Sequence, residues 1–192
     1  MDNRCRIVPP GRKETELVVT TQDPNPSAPR SIAQSSEHPD VRFDLAEDLV
    51  AVHGEAVDRA ADGPGAPGWL AAEGIDVRAA DGVPPDVLER GAVGPVYRRV
   101  PSQSVVVPTG SVLVRFAEGQ RAVDHEGDLA EAGFVIESVL SYASHAAWVR
   151  AASGNISDSL LGVGRLHAVP GVEHVEPQMV GESSRRDSPP AR

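Results

Sequence analysis

The sequence predicts an α+β fold: a four-stranded antiparallel sheet with two helices on one face, behind a disordered arm and a less regular middle region. Three observations predict it. In Val112–Phe116, Val112, Val114 and Phe116 alternate with Leu113 and Arg115, as in a strand with one buried face. Between Ile156 and Val169, the residues Ile156, Leu160, Leu161, Val163, Leu166 and Val169 recur mainly at three- and four-residue steps, which makes a one-sided helix. From Val105 onward the elements run strand, helix, strand, strand, helix, strand. That is the split βαβ order of ferredoxin-like domains, βαββαβ.

Taken in order, residues 1–40 are rich in Pro, Ser, Asp and Asn and carry no sustained period. Such a segment buries too little apolar surface to offset an ordering entropy of about 1–2 kcal/mol per residue, so a disordered arm is expected, with Glu16–Thr21 its one strand-like patch. Residues 41–100 read as a small α+β or sheet-extending region. Val41–Val52 suits two short strands joined by a polar turn at Ala46–Asp48, and Ile75–Val77 suits another strand. Glu55–Ala61, Trp69–Ala72 and Pro84–Glu89 suggest short helices, the last with prolines in its first turn.

The regular part spans 104–180. Val105–Val107 and Val112–Phe116 flank the sequence Pro108-Thr109-Gly110-Ser111. Arg121–Ala132 reads as a polar helix with Val123 and Leu129 inward, closed by Gly133 in a left-handed cap. Phe134–Leu140 and His145–Arg150 are strands around a turn at Ser141–Ser144, and Asn155 or Ser157 caps the helix that follows. Pro170 and Gly171 stop that helix. Val172 and Val175 start a final strand that Pro177 is expected to end, since proline donates nothing to a ladder. Residues 181–192 read as a disordered tail.

Composition narrows the function classes. With 192 residues, 17 prolines, 18 glycines and only 4% aromatics, the chain suits one small domain plus irregular segments. A net charge of −10 provides no basic field for phosphate backbones, so nucleic acid is not an expected partner. No apolar run approaches the roughly 18–20 residues of a membrane span, so no membrane partner is expected either. Met1–Glu16 lacks the apolar core of a secretory signal, which as written points to the cytoplasm, with export alongside a protease left open. The single cysteine, Cys5, permits neither an internal disulfide nor a multi-cysteine metal site. His38, His53 and His125 stand at no metal-ligand spacing and read as surface histidines. No metal or cofactor is expected.

Several phrases bear a family likeness: Val112-Leu113-Val114-Arg115-Phe116, a helix ending in Ala132-Gly133, the strand pair around Ser141–Val149, and above all Leu166-x-x-x-Pro170-Gly171-Val172-Glu173-x-Val175-Glu176-Pro177. Over roughly Val105–Val180 the chain resembles the N-terminal propeptides of subtilisin-like serine proteases, and more closely the fervidolysin-like prodomains. The resemblance implies a bare sheet face packed on two surface helices of the protease, a C-terminal tail lying in its substrate cleft, and a double role as inhibitor and folding assistant. The tail would be Glu176, Pro177, Gln178, Met179, Val180 and Gly181, with Met179 or Val180 near the primary specificity pocket. Glu137 would cap the protease helices, with Glu173 or Glu176 in reserve. Trp148 and His174 join them as protease-facing candidates. Trp148 points either to the bare face or into the helix-covered core, because strand parity is not fixed by sequence.

No Gly-x-Ser-x-Gly elbow occurs, and no catalytic residues are assigned. The leading expectation is a propeptide-like protein acting on a subtilisin-like protease supplied in trans, without enzymatic activity of its own. Two alternatives stand beside it: the separately encoded front part of such a protease, and a ligand-binding or oligomerising regulatory module.

Overall fold

A computed structural model describes residues 28–35, 37–54, 74–82 and 93–181. Among them lie β1 (Ser31–Ala33), β2 (Arg42–His53), β3 (Ile75–Ala79), β4 (Val93–Val100), β5 (Val105–Phe116), β6 (Phe134–Leu140), β7 (Ala143–Ala151) and β8 (Val172–Gly181). A 3-10 turn at Ala122–His125 runs into α1 (Glu126–Glu131), and α2 (Ile156–Leu161) and α3 (Val163–His167) follow β7. The expected Glu16–Thr21 patch, the helices at Glu55–Ala61, Trp69–Ala72 and Pro84–Glu89, and the tail beyond Gly181 fall outside the described residues.

All eight strands join one curled antiparallel sheet in the order β1-β2-β4-β5-β7-β6, with β3 added to β2 and β8 to β5. The expected ferredoxin-like fold, four strands with two helices on one face, is therefore corrected. The chain is mostly β, and β5 to β8 form no sheet of their own. The reason lies in β5. Its end at Val105–Val106 pairs with β4, its other end at Ser111–Arg115 pairs with β7, and β8 runs along the opposite side from Val106 to Phe116. The β5–β8 ribbon thus welds the sheet contributed by residues 31–100 to the remainder.

Two breaks in sequence pattern turn out to be bulges rather than ends. Val41–Val52 forms no hairpin: β2 is continuous, and its register against β4 shifts between Leu45 and Val50. Likewise β5 passes through Pro108–Ser111, where the register against β8 shifts and Gly110 takes a φ of +89°, a conformation that suits glycine. Ser31–Ala33, inside the expected disordered arm, is a strand paired with Asp44–Arg42 of β2. Nor does Pro177 end β8, which continues to Gly181 with Pro177 opposite Val112. Because β8 pairs with β5 alone among the described strands, a proline can sit there with its missing N–H turned outward.

Helix ends follow the local sequence more closely. Gly133 adopts a φ of +86° just past α1, and the Asn155 side chain accepts from the Ser157 amide at 2.8 Å, capping α2. Val123, expected inward, is exposed, and Ala122 is buried in its place. The single helix expected from Ile156 is interrupted at Gly162, where a Cβ would overlap the Phe134 ring and only glycine lets that ring approach. Leu160, Leu166 and Val169 face inward as expected, while Leu161 is exposed.

Three apolar clusters hold the sheet. Val112, Val114 and Phe116 of β5 meet Leu129, Phe134, Val149, Leu166 and Val175 beneath the helices. Tyr97, Phe43, Ile32 and Val106 pack on Leu160 of α2, joined by Ile156 and Met179. Ala51, Ile75, Val96 and Val107 make the third, with Val180 against them. β4 therefore buries consecutive residues, Val96 and Tyr97, into two different clusters. Each fully buried Val, Leu or Phe contributes roughly 1.5–3 kcal/mol, so the clusters on either side of β5 carry the fold together. Among the described residues, no helix is long and apolar enough to cross a membrane.

Candidate interaction surface

The side chains alternating with the helix-covered cluster form a second stripe. On β5 these are Ser111, Leu113 and Arg115, and on β7 Ala146, Trp148 and Arg150. Leu113 stands directly opposite Trp148, and Ser111 and Arg115 oppose Arg150 and Ala146. Since Val112, Val114, Ala147 and Val149 all lie in the covered core, strand alternation assigns Trp148 to the other face. This resolves the parity that sequence left open. Leu113 and Trp148 are both half-buried, and Val135 on β6, opposite Arg150, is 49% exposed.

Charged groups rim this apolar centre. At one side, Arg150 Nε donates to Glu137 Oε1 at 2.6 Å, and Ser111 Oγ donates to Glu137 Oε2 at 2.6 Å. At the other, Arg115 Nη2 donates to Glu37 Oε1 at 3.0 Å, and Gln34 Nε2 donates to Glu176 at 3.2 Å. His174, only 6% exposed, lies between two carboxylates, with Nε2 3.3 Å from Glu176 and Nδ1 3.6 Å from Glu37. The segment carrying Gln34 and Glu37 thus clasps the β8 edge. Each half-exposed ion pair is worth about 0–1 kcal/mol, so the rim orients rather than stabilises.

Of the residues singled out from sequence, Trp148, Glu137, His174 and Glu176 share this face. Glu137 is not a free carboxylate, since Arg150 and Ser111 occupy both its oxygens. Glu173 is exposed at the start of β8 and makes no ion pair among the described residues. Pro177, Gln178, Met179, Val180 and Gly181 form no dangling tail: Met179 opposes Pro108, Val180 opposes Val107, Gly181 opposes Val106, and Gln178 accepts from Thr109 Oγ1 at 2.7 Å. Sequence reading missed Arg150, Arg115, Glu37 and Gln34. The polar half of the β5 and β7 alternation was the signal for the two arginines, whereas nothing local announces that Gln34 and Glu37 reach β8.

Of the scattered histidines, His38 is exposed as expected, whereas His53 and His125 are partly buried. His125 stacks on Phe116, with ring centroids 4.3 Å apart, and its Nδ1 lies 3.1 Å from Asp128. His53 lines a cleft, with Nε2 buried and without a hydrogen-bond partner among the described residues. Burial, assisted by the Arg150 charge, holds the His53 imidazole below its usual pKa. Among the described residues, no three His, Cys, Asp or Glu side chains are grouped to hold a metal ion. Comparison with protein-family models, with curated proteins and with solved structures returned no match.

Proposed function

We propose that this chain docks a partner protein on the face of β5–β8 opposite the helix-packed cluster, and that the partner is a subtilisin-like serine protease which it inhibits or helps to fold. One observation carries the docking surface: the half-buried Leu113–Trp148 pair, set in a rim of paired charges on the face opposite the helix-packed cluster. An apolar, aromatic-bearing centre inside a polar rim is the usual anatomy of a protein-binding patch. The protease as partner rests on the likeness of Leu166–Pro177 to subtilisin propeptides.

The engaged end of β8 shapes the mechanism. With Pro177–Gly181 held by β5, docking is the work of the sheet face, and use of these residues in a substrate cleft requires that end of β8 to leave its partner. Docking is then faster than full inhibition, and peeling of β8 sets the slower step. The same surface serves a protease carried on a separate chain or on the same one.

The test titrates the chain into a purified subtilisin-family protease from the same organism while peptide turnover and refolding of the denatured enzyme are followed. Slowed turnover or faster refolding supports the proposal, and Trp148→Asp should reverse the effect by roughly a hundredfold or more, because an unpaired carboxylate would be buried against the partner. In a Trp69→Phe background, docking should shift Trp148 emission to the blue. Unchanged turnover, unchanged refolding and unchanged emission together sink the reading.

A further inference from the structure

A cleft of about 310 Å³ opens where the end of β2, the start of β4, the β5 bulge and the β7–α2 loop meet. His53, Val93, Thr109, Arg150, Asn155 and Ile156 line it, away from the Leu113–Trp148 pair. Three features of its wall point to a ligand rather than to a packing defect.

The first is Arg150. Its Nε is committed to Glu137 and its Nη2 reaches Ser111 Oγ at 3.4 Å, while Nη1 has no acceptor among the described residues. Nη1 stands over the bulge, 3.8 Å from where a Cβ on Gly110 would lie. The second is His53, whose Nε2 is buried with no hydrogen-bond partner among the described residues. A buried imidazole nitrogen left unpaired is costly, and a ligand oxygen would satisfy it. The third is Asn155: its Oδ1 is spent on the Ser157 amide, which leaves the side-chain NH2 as a donor. Thr109 is already satisfied, donating to Gln178 and accepting from the Ser111 amide.

The geometry points to a binding site in this cleft for a small organic carboxylate, held by Arg150 Nη1, His53 Nε2 and the Asn155 amide, with its apolar body against Val93 and Ile156. Charge selects the class. Among the described residues, Arg150 is the one cationic side chain lining the cleft and is already paired with Glu137, so the wall offers hydrogen-bond donors with no surplus charge, which disfavours a phosphate dianion more than a monoanion. Volume agrees, since about 300 Å³ is the lower end of small-molecule sites. His53 enters as a neutral ring, because burial and Arg150 both disfavour its charged form, and a neutral ring can donate to a carboxylate without a second cation.

Titration of the isotope-labelled full chain with benzoate, followed through the His53 ring and Arg150 guanidinium NMR signals, tests it. Saturable shifts in the millimolar range are expected for a ligand of this size. Arg150→Gln should weaken binding roughly tenfold or more. Val93→Phe, which fills the cleft and leaves Arg150 in place, should abolish binding in a chain whose circular dichroism is unchanged, and it decides the matter if Arg150→Gln does not fold. Absence of saturable shifts at His53 and Arg150 overturns the proposal. So does a folded Val93→Phe chain that binds benzoate undiminished, and so does inorganic phosphate shifting the same signals as tightly as benzoate.

Discussion

Met179 lies opposite Pro108 in the antiparallel ribbon of β5 and β8, and this pairing ties the end of the described chain into two cores at once. Met179 packs against the cluster around Tyr97, and its neighbour Val180 against the cluster around Val107. A segment that reads as a loose tail is a structural strand.

Ending the chain after Glu176 should therefore destabilise it by about 2–5 kcal/mol, the range for deleting a large apolar side chain from a packed site. The urea midpoint measures this. In the intact protein, amide exchange within Gln178–Gly181 should be slowed, and random-coil rates there would show that β8 stops at Pro177.

Tyr97 is fully buried, and its hydroxyl donates to the Pro29 carbonyl at 2.9 Å, pinning the chain before β1. Tyr97→Phe should cost about 1 kcal/mol, the net worth of one hydrogen bond. Burial also pushes the phenol above its ordinary value. A group whose folded pKa is raised contributes stability below its unfolded value, near 10 for tyrosine, and loses it as pH climbs further. Tyr97 should ionise only as the chain unfolds, so the variant loses the late rise in tyrosinate absorbance.

His53 works with the opposite sign. Its folded pKa is depressed, by burial first and by Arg150 second, so the unfolded chain takes up that proton more readily. Stability from this residue is complete above the unfolded value of about 6.5 and falls as pH drops below it. Denaturation midpoints of the parent should decline between neutral and mildly acidic pH more steeply than those of His53→Gln. Equal slopes would count against the burial of this ring.

Gly162 separates α2 from α3 where the Phe134 ring presses on the backbone, with a φ of −79° that any residue adopts. Alanine there would gain up to about 1 kcal/mol of helix propensity. The overlap with Phe134 would cost roughly 1–3 kcal/mol, so the steric effect wins. Gly162→Ala should lower the melting temperature, and pairing it with Phe134→Leu should recover part of the loss.

Much of the candidate surface was visible one residue at a time. Trp148, Glu137, His174 and Glu176 were all singled out before their common face was known. Their setting was not visible. Glu137 is bound by Arg150, thirteen positions away, and buried His174 lies against Glu37, 137 positions before it. The His53 cleft was missed because it joins β2 to the β7–α2 loop, and no spacing along the chain encodes that approach.

The sequence by itself determined the local elements: the strand at Val112–Phe116, the cap at Gly133, an N-cap at Asn155 or Ser157, and the stop at Pro170–Gly171. Each depends on contacts within a few residues or on the conformational range of a single one. Tertiary structure alone decided that β5 runs unbroken through Pro108–Ser111, that Pro177–Gly181 are paired, and that the four-stranded sheet became one of eight strands. Proline and glycine interrupt a strand equally well as a bulge or as an end. Which occurs depends on whether another strand waits on the far side, and here β4 and β8 do.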